Sequence, residues 1–92
     1  MFESHTHVVT ANAERLTKRL SNHWRHKFPV ETDSKGAEIK LPIGVCGLQS
    51  VDGGLGVRVQ AAEEDQLERL QTVVADHLQR MAGDEALTFA WS

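Results

Sequence analysis

Between Phe28 and Ala61 the sequence packs four short runs of strand-forming residues, one after another, with only turn residues between them. Parallel neighbours need a crossover of a dozen or more residues, and this stretch has no room for one. The four runs are therefore expected to fold as antiparallel neighbours. The first is Phe28 to Thr32, and Asp33-Ser34-Lys35-Gly36 supplies its turn. Ala37 to Leu41 follows, with Ile39 on one side and Glu38 and Lys40 on the other. Pro42 marks a bend or an edge position, because it cannot donate to a ladder. Ile43 to Gln49 is the third run. Asp52-Gly53-Gly54 is the strongest turn signal in the chain, and Leu55 to Ala61 returns with Leu55, Val57 and Val59 on one face.

Amphipathic stretches flank this region. Ala13, Leu16, Leu20 and Trp24 recur at spacings of three and four, which predicts a helix over Ala11 to Arg25. Thr10 or Asn12 is the expected cap. Pro29 disfavours helical geometry at Phe28, so this helix stops by about Lys27. A second stripe, Leu67, Leu70, Val74, Leu78 and Met81, predicts a helix from about Glu63 to Ala82, with acidic residues in its first turn and Gly83 as its stop. Phe2 to Thr10 reads as an opening strand, and Ala86 to Trp91 as a closing one, with Leu87, Phe89 and Trp91 pointing one way. The expected class is α+β in two layers: one antiparallel sheet, two helices on one face, order β-α-β-β-β-β-α-β, in a single domain over residues 1–92.

Composition removes several function classes. The formal charge is −3 and the basic residues are scattered, whereas nucleic-acid binding needs a concentrated basic stripe, so no nucleic-acid partner is expected. No segment approaches the roughly 20 apolar residues of a membrane span, and the N-terminal residues lack the pattern of a signal peptide. Cys46 is the single cysteine, which excludes an internal disulfide. These features point to the cytoplasm. A chain this short buries only about 60–65% of its unfolded surface, and a homodimer would add to that.

Histidine is the conspicuous chemical element. His5 and His7 lie two apart on the first strand and so share a side. They could hold one metal ion, but a metal site needs three or four ligands, and two exposed polar residues on an edge strand explain them as well. His23 and His26 lie three apart on the first helix, hence are surface neighbours. His23 follows Leu20 by three residues and His77 follows Val74 by three, so each sits on the shoulder of its helix's apolar stripe. With both helices on one sheet face, the two rings would meet across a groove. Such a groove, with Cys46 near it, suits a metal ion, haem or a small anion. The plainer alternative is two half-buried histidines, each hydrogen-bonded to backbone or carboxylate. Cys46 lies in an apolar strand and reads as structural, since a thiol nucleophile needs a base or cation beside it. No nucleophile elbow, phosphate loop or dinucleotide fingerprint occurs, so a non-enzymatic role is favoured.

The run of features resembles a bacterial family called domain of unknown function 2218. The matching stretches are Thr10 to Leu20, His23-Trp24-Arg25-His26-Lys27-Phe28-Pro29-Val30-Glu31, Gly36 to Gly47, Leu55 to Ala61, Val73-Val74-Ala75-Asp76-His77-Leu78 and Thr88-Phe89-Ala90-Trp91. The resemblance carries His23, His26 and His77 as ligand-binding candidates, and the expected meeting of the two helices makes His23 and His77 the candidate metal ligands. Some family members stand near, or are joined to, flavin-dependent siderophore-interacting reductases. The resemblance thus implies a module binding a metal ion, haem or siderophore-like ligand in iron acquisition. Its alternative implication is a dimerisation or docking module whose partner is such a reductase. The element order also resembles the TATA-binding-protein-like fold, without the DNA-reading function.

Overall fold

The computed structural model describes residues 1–92 and contains seven elements: β1 (Phe2–Val9), α1 (Ala13–Arg25), β2 (Val30–Thr32), β3 (Gly36–Leu41), β4 (Gly44–Val51), β5 (Gly54–Ala61) and α2 (Glu64–Ala82). The strands form one sheet in the order β1-β5-β4-β3-β2, and every pairing is antiparallel. The meander expected between Phe28 and Ala61 is present. Its last strand pairs with the first strand of the chain, Phe2 opposite Ala61 through Val9 opposite Gly54.

Register puts one set of side chains under the helices. Val8, Leu55, Leu48 and Ile39 face inward and join Leu16, Leu20 and Trp24 of α1 with Leu67, Leu70, Val74 and Leu78 of α2 in one core. Fully burying each of these large side chains contributes about 1.5–3 kcal/mol, so this layer dominates stability. α1 lies over β2 to β5, and α2 lies over β5, β1 and β4. Gly53 takes φ +78°, a conformation that L side chains rarely adopt, and so closes the β4–β5 turn that Asp52-Gly53-Gly54 signalled. Gly83, φ +64°, follows the last turn of α2 as expected.

Two expectations need correction. The first concerns the closing strand: residues 86–91 form no ladder. Their backbone is claimed by side chains instead. Gln79 Oε1 accepts from Leu87 N at 3.0 Å, Gln79 Nε2 donates to the Glu85 carbonyl at 2.7 Å, and Thr6 Oγ1 accepts from Ala90 N at 3.0 Å. Only Ser92 exchanges backbone bonds with β1, through His5, at 3.0 and 3.1 Å. The apolar alternation is used all the same, since Leu87, Phe89 and Trp91 pack against the core. The second concerns the start of α1, where neither Thr10 nor Asn12 gives the helix a side-chain cap. Thr10 Oγ1 accepts from Asn12 N at 3.0 Å and donates to Glu85 Oε2 at 2.8 Å, while Asn12 Nδ2 donates to Glu85 Oε1 at 3.3 Å. The carboxylate that follows α2 thereby fastens the approach to α1.

Candidate functional site

The spacing rule that placed His23 three residues beyond Leu20 and His77 three beyond Val74 puts both on the sides of their helices that meet. Their ring centroids lie 5.2 Å apart. Trp24 completes a three-ring cluster, its centroid 4.9 Å from His77 and 6.2 Å from His23. The indole is buried, His77 is half-buried and His23 is exposed, so the cluster grades from core to solvent.

Backbone chemistry fixes the His77 ring. Its Nδ1 lies 2.8 Å from the Val73 carbonyl, one helical turn back. A carbonyl only accepts, so Nδ1 carries the proton and Nε2 keeps its lone pair when the ring is neutral. That is the tautomer and orientation of a metal-binding imidazole held by a backbone acceptor. On the same side of α1, Arg19 Nη1 donates to the Met81 carbonyl at 2.8 Å and ties the end of α2 to α1.

The other candidates lie elsewhere. His26 stands at the C-cap of α1, exposed and outside the ring cluster. His5 and His7 do share a side of β1, on the face of the sheet away from the helices, opposite Arg58 and Gly56. No three His, Cys, Asp or Glu side chains come together as a metal-binding group. Cys46 is fully buried, between Ile39 and Val59 in the sheet register. Burial raises its pKa to about 12, with Arg58 opposing weakly, so the thiol stays protonated and is no nucleophile at neutral pH.

The face of the sheet opposite the helices is uncovered. A cross-strand row runs His5, Arg58, Gly47, Glu38 and Glu31. Arg58 lies over Gly47, where an added Cβ would come within 3.0 Å of its Nη2, and reaches Glu38 Oε1 at 3.2 Å. An open trough of about 960 Å³ follows this face. Sequence reasoning did not single out this row, because it emerges only from register. It also passed over Thr17 and Ser21, which α1 buries beside Leu20 and Trp24. Their spacing of four, on the shoulder opposite His23, was the available signal.

A small antiparallel sheet backed by two helices, with a histidine pair where the helices meet, defines this as an α+β domain. The chain belongs to the bacterial family described as "Uncharacterized protein conserved in bacteria (DUF2218)", whose pattern matches residues 5–92. It is similar to the protein PA4090 from Pseudomonas aeruginosa, known from an NMR structure: 41% of residues are identical, the match covers 100% of this chain and 96% of that one, and the TM-score is 0.84. No curated protein matches the chain.

Proposed function

We propose that this protein is a binding module for a transition metal that arrives already chelated, such as haem iron or a siderophore-like complex, with His23 and His77 as its protein ligands. The observation that carries this reading is the 5.2 Å approach of the two rings, with His77 fixed through Nδ1. Two imidazoles fall short of the three or four protein ligands of a resident structural or catalytic metal. A metal that brings its own chelator needs only one or two more donors, as haem iron does. Trp24 offers part of an aromatic wall beside the site. Iron acquisition, which the family resemblance implies, is the setting we propose. Titration of haem, and separately of bare Ni(II) and Zn(II), into wild type and a His23→Ala/His77→Ala double variant tests the reading. Wild type should bind haem more tightly than either bare ion, and the double variant should lose that advantage. Equal binding by the two proteins removes the proposal.

The uncovered sheet face favours a second reading, a homodimerisation module. Its central row has imidazole and guanidinium at one end and carboxylates at the other, so a twofold rotation lays each end on its opposite. Light scattering should then give twice the chain mass, and Gly47→Lys should return it to the monomer. A wild-type monomer at high concentration rejects this second reading.

A further inference from the structure

We propose that the cleft between α1 and the β2–β3 hairpin is an anion site for the phosphate class, independent of the histidine pair. The cleft measures about 410 Å³, and none of the residues lining it is hydrophobic. Two of them, Thr17 and Ser21, are 9% and 1% exposed, and their hydroxyls are buried with no hydrogen-bond partner in the protein. Buried polar atoms are nearly always paired, so two orphans one helical turn apart, lining one cleft, require a reason. A hydroxyl donates readily to an acceptor, and an oxyanion offers acceptors only.

Charge selects the same ligand. Lys18, Arg25 and Lys35 line the cleft, and none of them forms an ion pair. The molecule's two ion pairs are Lys40 with Glu31 and Arg58 with Glu38, both elsewhere. Two carboxylates also line the cleft. Asp33 is already occupied, accepting from Lys35 N at 2.8 Å and Gly36 N at 2.9 Å, and those bonds hold it below the usual carboxylate range. Glu14 is the other. Three cations against two carboxylates gives a local excess of positive charge in a chain whose net charge is −3. A guanidinium, two ammonium groups and two buried hydroxyls form a donor set suited to phosphate oxygens.

The test is an amide NMR titration of the full chain with inorganic phosphate, and separately with glycerol phosphate, at ionic strength held constant with sodium chloride. Saturable shifts should concentrate at residues 17–25 and 33–36. Arg25→Gln should weaken binding about tenfold or more, and Ser21→Ala at least about fivefold, since hydrogen bonds to charged groups are the strong ones. Tighter binding of glycerol phosphate assigns the site to a phosphomonoester, and equal binding assigns it to the free ion. Both outcomes support the cleft. Shifts spread over all basic residues without saturation overturn it. So does a folded Ser21→Ala protein that binds phosphate as wild type does, because the orphan hydroxyl then serves no ligand.

Discussion

Where α1 meets α2, polar side chains find backbone acceptors: Arg19 of α1 donates to the Met81 carbonyl of α2, and His77 of α2 to the Val73 carbonyl of its own helix. On the side that faces the β2–β3 hairpin, Thr17 and Ser21 are buried more deeply than the exposed Arg19 or the half-buried His77, and their hydroxyls find no partner. Both sides belong to one amphipathic helix over one core. What differs is the neighbour. The end of α2 brings the Met81 carbonyl within reach of the long Arg19 side chain, whereas the short hydroxyls of Thr17 and Ser21 reach no partner on the hairpin side. Burial and satisfaction are thus separate outcomes, and the unsatisfied side is where a ligand gains most.

The harshest way to break this contrast is to remove what both sides share. Trp24→Ala should cost about 3–5 kcal/mol, because the indole is 5% exposed and packs in the central core, and denaturant unfolding measures it. A loss below about 1 kcal/mol would show that the helix is not seated as described. On the α2 side, His77→Ala should destabilise by about 1 kcal/mol through loss of its bond to Val73 and its contact with Trp24, read from the same unfolding curves. Ser21→Ala should act in the opposite direction. Without phosphate it should raise stability by up to about 1 kcal/mol, since it deletes an unpaired buried hydroxyl and introduces the best helix former. If it instead destabilises the protein, Ser21 is paired after all and the contrast fails.

The smallest expected effect depends on pH. Backbone hydrogen bonds from Lys35 and Gly36 depress the Asp33 pKa, so its contribution is present above the unfolded carboxylate value of about 3.9 and fades as pH falls through the lower folded value. Acidification across that range should lower the protection of the Lys35 and Gly36 amides, measured against their intrinsic exchange rates at each pH, while leaving the α1–α2 contact unchanged. Equal loosening of both regions would contradict local control by Asp33.

Much of this arrangement was legible in the residues. Turn chemistry at Asp33 and Gly53, the two helical stripes and the stop imposed by Pro29 gave the element order, and equal offsets from Leu20 and Val74 anticipated the meeting of His23 and His77. The closing strand was misjudged because alternation at Leu87, Phe89 and Trp91 reports which side is buried, not whether the backbone finds a ladder. Gln79 and Thr6 took those backbone groups first, and nothing local to residues 86–91 announces that. The row from His5 to Glu31 was hidden for a related reason, since it assembles residues from five strands through register alone.

Sheet order carries a consequence for how the chain acquires its structure. β1 is made first, yet its partner β5 lies some fifty residues downstream, and the nascent strand has no ladder until Gly54–Ala61 has emerged. Pairings this distant raise contact order and slow folding, which places the rate below that of helical bundles of similar size. During synthesis, Val8 and the rest of that opening segment wait exposed, and the interval ends only when the meander turns back to meet them.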